Sequence, residues 1–139
     1  MCIRDRAGIV MGIGVVPHTD IDKRGIVKAT QLAMSRAVDQ LPFAPDFLLI
    51  DALALPEVSL PQRSIVHGDQ LSLSIACASI VAKVSRDRYM VELDSLHPGY
   101  GLARHKGYAT KEHLLCLQQL GPCSIHRQSF APVRRLIKG

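Results

Sequence analysis

Two aspartates stand directly after segments that could position a carboxylate. Asp51 follows the apolar run 47–50, and Asp69 follows Gly68 ahead of a long helical stretch. Open α/β sheets present functional groups at the carboxyl ends of their strands, so carboxylates at adjacent element ends can face one point. A hard divalent cation such as Mg²⁺ needs few protein oxygens beside phosphates and waters, and paired ions can hydrolyse a phosphodiester. The two residues therefore suit metal-dependent chemistry on phosphate.

Each acidic residue also has an ordinary structural interpretation. Asp69, in a Gly-Asp pair before a helix, can serve as an N-cap, and Asp51 can begin a turn. Asp87 lies between Arg86 and Arg88, a pattern typical of a solvated helix face with local ion pairs. The residues alone leave these alternatives open.

The elements that must position the aspartates follow from the apolar pattern. Continuous apolar runs at 7–16 and 47–50 predict strands, and the second run, which lacks alternation, predicts a strand covered on both faces. A short strand is expected at 64–66. Helical spacing predicts helices at 26–41 and at 70–96, the latter buried in its first half, and a third helix from Thr110 to Gly121. Alternating strands and helices predict an α/β domain, although the pattern supplies few strands.

Composition narrows the class of partner and compartment. The 139 residues carry a formal net charge of +5, which favours a polyanionic partner because Lys and Arg release counterions from phosphate. The 4 cysteines form no C-x-x-C pair, so we expect a reducing, cytoplasmic compartment. No apolar stretch reaches the length that spans a membrane, and we expect no membrane association.

Three stretches are similar, in order, to motifs of the ribonuclease HII family. SIACASIVAKVSRD at 74–87 resembles the family pattern A-A-S-I-x-A-K-x-x-R-D. HPGYG at 97–101 continues to HKGYAT at 105–110 and then to His113. GPCSIHRQSFAP at 121–132 resembles G-P-x-x-x-H-R-x-S-F-x-P, and the helix at 26–41 is also similar. The resemblance covers nearly everything after Phe47.

The resemblance implies a partial α/β, ribonuclease H-like fold with C-terminal helices, occupying residues 7–139. Residues 1–6 match no family pattern and are interpreted as a non-native start. The family holds one or two Mg²⁺ or Mn²⁺ ions with four acidic residues, and Asp51 and Asp69 match the third and fourth. Asp87 matches a supporting acidic position, and His67 stands where the family has Lys before Gly-Asp.

The same resemblance assigns residues that contact substrate. Tyr108 matches a tyrosine that stacks on the sugar beside the scissile ribonucleotide, where a flat ring senses a missing 2′-hydroxyl. The alternative is a loop tyrosine that packs on the core. Cationic side chains position a duplex through its phosphates, although each one could equally be a solvated charge. The cationic candidates are Lys83, Arg104, Lys106 and Arg127.

One family motif has no counterpart in these 139 residues. The family's first strand carries D-E-x-G-R-G with the first two acidic residues, and this chain contains no Asp-Glu pair. The resemblance implies a monomeric endonuclease that cuts the RNA strand of RNA–DNA hybrids, including single ribonucleotides in DNA, on the 5′ side of the ribonucleotide. We expect the chain by itself to be inactive, and the alternative function is a nucleic-acid-binding fragment without catalysis.

Overall fold

The computed structural model describes residues 2–5 and 8–138. Met1, Arg6, Ala7 and Gly139, which include both ends of the expected 7–139 domain, lie outside the described residues. The strands are β1 Cys2–Asp5, β2 Gly8–Met11, β3 Leu48–Asp51 and β4 Gln62–Ile65. The helices are α1 His18–Arg24, α2 Ile26–Asp39, α3 Gly68–Leu71, α4 Leu73–Leu96, α5 Leu102–His105, α6 Lys111–Leu120 and α7 Ala131–Lys138. The predicted α/β class is confirmed.

Two small sheets carry the strands. β1 and β2 pair antiparallel, whereas β3 and β4 pair in parallel, with Leu48 opposite Gln62 and Asp51 opposite Ile65. The connection from β3 to β4 is irregular, and the Gln62 side chain holds it by donating to the carbonyls of Leu55 and Val58. Its Oε1 also accepts from the Leu55 amide at 2.7 Å. One amide side chain thus fixes the crossover that a parallel pair requires.

The first predicted strand, 7–16, is shorter than expected because its second half packs closely on α2. A Cβ at Gly12 would lie 2.0 Å from the Ala37 carbonyl oxygen, and one at Gly14 would lie 1.8 Å from that of Ala33. Real side chains tolerate neither distance. The strand therefore ends at Met11, and the backbone of the following residues lies in direct contact with α2.

The apolar core is divided into two clusters. One consists of Leu48, Ile50 and Leu55, packed with residues of α2 that include Met34 and Val38. The other joins α4, α5, α6 and α7 through five buried residues: Leu93, Tyr100, Leu102, Leu117 and Val133. The first cluster supports the strand that ends in Asp51.

Two expectations about burial are wrong. β3 is covered on one face only, because Leu48 and Ile50 are buried while Leu49 is 43% exposed. The first half of α4 is also largely open, with Ile75 buried there but Ile80 62% exposed. An apolar segment is buried only where a second layer covers it, and the positions of Leu49 and Ile80 are largely uncovered.

The long helix predicted at 70–96 is interrupted at Ser72. That residue adopts an extended conformation, with φ −133° and ψ 119°, and separates α3 from α4. The Ser72 amide still donates to the Gly68 carbonyl at 2.8 Å, and its carbonyl accepts from Ala76 at 2.9 Å. The short helix α3 thereby carries Asp69 as a separate unit between β4 and α4.

Candidate functional site

The Asp51 carboxylate is fixed where β3 ends. Ala52 follows with a φ of 56°, and the Leu53 amide donates back to the Asp51 carbonyl at 2.6 Å, which closes a tight turn. Asp51 Oδ1 accepts a hydrogen bond of 2.9 Å from the amide of Gly68. This bond joins residues 17 positions apart and ties the strand end to the start of α3.

A side chain at Gly68 would crowd its neighbours. A Cβ there would lie 2.6 Å from Ile75 Cδ1 and 3.4 Å from Asp51 Oδ1. The preceding His67 is in the left-handed region at a φ of 55° and turns the chain from β4 into α3. Glycine at 68 thus allows α3, the strand end and the base of α4 to meet at one point.

Asp69 is the residue after Gly68 and lies in the first turn of α3. The N-cap of α3 is His67, so the interpretation of Asp69 as an N-cap is wrong. Both Asp51 and Asp69 are exposed. The turn therefore places two solvent-facing aspartates on adjoining segments, while their role as metal ligands stays a prediction.

The donor chemistry of this turn fits a hard divalent ion in part. Mg²⁺ is commonly held by one or two carboxylates together with substrate phosphates and water, and Asp51 and Asp69 supply such a pair. Within residues 2–5 and 8–138, no group of three or more His, Cys, Asp or Glu side chains is arranged to hold a metal. The assignment of Asp51 and Asp69 as the residues that would hold Mg²⁺ or Mn²⁺ stays a prediction.

A second group of predicted residues meets on α4. The Tyr108 ring is flanked by two cations, with Lys83 Nζ 5.5 Å and Arg86 Cζ 4.9 Å from its centroid. Lys83 also forms an ion pair with Asp87 one turn further along. Tyr108 is 54% exposed, so the interpretation of a tyrosine packed on the core is wrong. Sequence reasoning missed Arg86, although its i, i+3 spacing from Lys83 places both on one helix face.

Two of the remaining predicted cations have partners outside this group. Arg104 pairs with Glu112, and the guanidinium of Arg127 lies 5.3 Å from the Phe130 ring centroid. Lys106 ends α5 with a φ of 52° and lies two residues before Tyr108. Their role as phosphate contacts stays a prediction.

One helix supports both groups. Ile75, near the start of α4, packs beneath Gly68, and Lys83 lies eight residues further along. At 1.5 Å per residue the two levels are about 12 Å apart along the axis. The helix α4 thus contacts the Gly68 turn near its start and the Tyr108 ring further along.

Three buried histidines form a chain beneath the Tyr108 loop. His105 stacks on His113 with ring centroids 4.2 Å apart, and His113 Nε2 lies 3.4 Å from His126 Nε2. All three are less than a tenth exposed. Sequence reasoning included them only as letters of the motifs and gave them no role.

Burial determines the protonation state of two of these histidines. Burial lowers the pKa of His113, the carbonyl of Tyr108 opposes that shift, and nearby His105 lowers the pKa further. Burial and the neighbouring His113 likewise lower the pKa of His126. Both rings are therefore neutral at pH 7.

The sequence is similar to known proteins of one family. The family profile described as ribonuclease HII matches residues 1–133. A ribonuclease HII of Dehalococcoides mccartyi is 56% identical over 128 residues, which are 92% of this chain and 61% of that protein. A ribonuclease HII of Desulfitobacterium hafniense is 53% identical over 133 residues, or 96% of this chain and 51% of that protein. The chain thus spans half to three-fifths of the length of these relatives.

The fold has a solved counterpart. The crystal structure of ribonuclease H2 from Pyrococcus horikoshii matches with a TM-score of 0.66 at 22% identity, covering 88% of this chain and 66% of that one. At this identity the match concerns the fold alone, and it agrees with the ribonuclease H-like architecture expected from the motifs. The profile match across nearly the whole chain and the identity to the bacterial relatives together show that the chain belongs to the ribonuclease HII family.

Proposed function

We propose that this protein is the greater part of an endonuclease that hydrolyses the RNA strand of RNA–DNA hybrids. The observation that carries the proposal is the Asp51–Gly68 hydrogen bond, which sets one aspartate at a strand end beside the segment that carries Asp69. Carboxylates held on rigid elements at fixed positions are what metal-dependent phosphodiester hydrolysis requires.

The aspartates have separate tasks in this proposal. Gly68 orients Asp51 through Oδ1, while Asp69 projects from the first turn of α3. When bound, a Mg²⁺ or Mn²⁺ ion would activate water and stabilise the leaving oxygen. Cleavage on the 5′ side of the ribonucleotide then leaves a 3′-hydroxyl and a 5′-phosphate. The relatives' family name supports this reaction class.

The Tyr108 group supplies the contact with the duplex. A half-exposed ring flanked by Lys83 and Arg86 offers an apolar plane to a sugar and two cations to the neighbouring phosphates. Such a plane distinguishes a deoxyribose from a ribose at an RNA-to-DNA junction, which extends the activity to single ribonucleotides in DNA. Arg104, Lys106 and Arg127 would add contacts to the backbone.

A second candidate is a nucleic-acid-binding fragment without catalysis. The observation that favours it is that no group of three or more His, Cys, Asp or Glu side chains is arranged to hold a metal within residues 2–5 and 8–138. The basic charge and the Tyr108 group would remain in such a fragment. The two candidates agree on the partner, an RNA–DNA hybrid duplex, and differ in chemistry.

The proposal extends to the compartment and the assembly of the protein. Among the described residues, Cys77, Cys116 and Cys123 are free thiols, which supports a cytoplasmic location. No helix in the described part of the chain is long and apolar enough to cross a membrane. We propose that the protein acts as a monomer, as the family resemblance implies.

A cleavage assay distinguishes the candidates. The substrate is a labelled DNA duplex with one ribonucleotide, and the control is the same duplex entirely of DNA. The 139-residue chain is compared with an extended chain, in which the part of the Dehalococcoides mccartyi relative that precedes the matched region is joined to the start of the matched region of this chain. Mg²⁺- or Mn²⁺-dependent cutting 5′ to the ribonucleotide by the extended chain supports the enzyme. Hybrid binding without cutting by either chain supports the fragment.

A further inference from the structure

The backbone of Tyr108 is held from both sides by histidines. Its amide donates to the carbonyl of His105 at 2.9 Å, and its carbonyl accepts from His113 Nδ1 at 2.9 Å. The Thr110 amide donates to the same carbonyl at 2.8 Å. His105 Nδ1 also accepts from the Gly107 amide at 3.2 Å. The loop that presents the exposed ring is therefore fixed from beneath by buried imidazoles.

Hydrogen-bond partners assign a tautomer to each ring. His126 Nδ1 accepts from the Cys123 amide at 3.1 Å, so its proton lies on Nε2 and points at His113. His113 Nε2 accepts the hydrogen bond from His126, so it carries no proton in a neutral ring. The His113 proton is therefore on Nδ1, which donates to the Tyr108 carbonyl. His105 donates through Nε2 to the Tyr100 carbonyl at 2.7 Å. The hydrogen bonds therefore all run in one direction, from Cys123 through His126 and His113 to Tyr108.

We propose that His113 is a positioning residue that sets the Tyr108 ring against the sugar of the hybrid through the hydrogen bond from Nδ1 to the Tyr108 carbonyl. The inference rests on the proposed function of Tyr108 as the ring that contacts the junction. His113 does not touch substrate itself, because it is 5% exposed beneath the loop. Lys83 and Arg86 hold the ring from the side of α4, and His113 holds its backbone from below.

Two substitutions separate the two ends of the His113 ring. In His113→Asn the amide nitrogen occupies the place of Nδ1 and keeps the donor to Tyr108, but the acceptor for His126 is lost. In His113→Gln the longer side chain keeps an acceptor near the place of Nε2 but loses the donor to Tyr108. Each variant breaks one buried hydrogen bond, so both should be destabilised to a similar extent in urea unfolding.

The functional readout is the preference for a junction. Fluorescence anisotropy in EDTA gives the affinity of the 139-residue chain for a duplex with one ribonucleotide and for the matched all-DNA duplex. In the ratio of these two affinities, the contributions of phosphate contacts that both duplexes share cancel. We expect the affinity ratio of His113→Asn to stay within about twofold of that of the parent. We expect the affinity ratio of His113→Gln to fall about fivefold, which is the equivalent of one hydrogen bond. On a Tyr108→Ala background His113→Gln should cause no further loss, since His113 acts through Tyr108.

The outcomes keep this inference separate from the proposed function. If Tyr108→Ala leaves the ratio unchanged, the proposed role of Tyr108 fails and the inference fails with it. If Tyr108→Ala lowers the ratio while His113→Gln and His113→Asn behave alike, the inference alone is overturned. A measurement without substitutions is the ¹⁵N spectrum of the histidine rings at neutral pH. A proton on Nδ1 of His113 supports the assignment, and a proton on its Nε2 overturns it.

Discussion

The amide of Gly68 donates a hydrogen bond of 2.9 Å to Asp51 Oδ1, which joins the end of β3 to the first turn of α3. Two features make this bond depend on glycine. Ile75 Cδ1 lies 2.6 Å from the position that a Cβ would take, and Asp51 Oδ1 lies 3.4 Å from the same position. The geometry of the candidate metal site is thus determined by a backbone contact as well as by the carboxylates.

Substitution of Gly68 by alanine tests that dependence. The added Cβ would meet Ile75 Cδ1 at 2.6 Å, so we expect Gly68→Ala to lower the free energy of unfolding by about 1–3 kcal/mol. Ile75→Val removes the obstructing methyl group, and the double variant should recover part of the loss. Urea unfolding followed by circular dichroism measures both. Equal stability of Gly68→Ala and the parent would contradict the packing at this turn.

Acid should destabilise the protein through its buried histidines. The pKa values of His113 and His126 lie below the ordinary 6.5, chiefly because of burial. Between the folded and unfolded pKa values the unfolded chain binds more protons, so stability is complete above pH 6.5 and falls as pH falls below it. Urea midpoints at about pH 7.5 and about pH 5.5 measure the loss.

A matched pair of variants assigns that pH dependence. His126→Gln should reduce the difference between the two midpoints, because one buried titrating ring is gone. His67→Gln, which replaces an exposed histidine, should leave the difference unchanged. The same pH dependence in all three proteins would mean that other groups cause it.

Binding to a hybrid should be largely electrostatic. The net charge of +5 and the cations beside Tyr108 predict that the logarithm of the affinity falls linearly with the logarithm of salt concentration. Lys83→Gln should reduce that slope by about one, as for a single phosphate contact. Lys28→Gln removes the same charge from an exposed position on α2 and should have a smaller effect. An affinity that does not change across the titration would rule out phosphate binding as the main contribution.

Asp22 should connect the amino-terminal helices to the carboxyl-terminal segment. Its oxygens accept from the amides of Gln128 at 2.9 Å and Ser129 at 2.8 Å. The slight burial of Asp22 acts to raise its pKa, but the hydrogen bonds from Ser129 and Gln128 outweigh it and hold the pKa below the ordinary value. We expect Asp22→Asn to destabilise the fold by about 1 kcal/mol at neutral pH. Asp39→Asn, at an exposed position on α2, is the control, and equal stability of the two variants would contradict the connection.

Sequence pattern predicted the elements better than their surroundings. The apolar run before Asp51 forms a strand, and the helix capped by Thr110 forms where it was predicted, with the Thr110 hydroxyl accepting from the His113 amide. The helix predicted at 26–41 forms but ends two residues earlier, at Asp39. The exposure of Leu49 and Ile80 could not be predicted, because burial depends on which layer lies opposite. The break at Ser72 has no glycine or proline to mark it.

Some features of the candidate site could be predicted from the sequence and others could not. Motif positions identified Asp51, Asp69, Lys83 and Tyr108 as candidates, and the structure brings Lys83 and Tyr108 together. The cation at Arg86 and the direction of the histidine chain depend on contacts between α4, the 105–110 loop and α6. Such contacts leave no local periodicity in a sequence, so they become visible only in three dimensions.

Loss of cleavage on removal of either aspartate tests the central claim most directly. In the extended chain, Asp51→Asn and Asp69→Asn should each reduce the rate of Mn²⁺-dependent cutting at a single ribonucleotide by at least about 100-fold, because changes around metal ligands alone cost about 10- to 100-fold. Asp46 lies two residues before the start of β3, whereas Asp51 is at the end of that strand, so Asp46→Asn should cut at the parent rate. Parent-like rates in Asp51→Asn and Asp69→Asn would contradict the account.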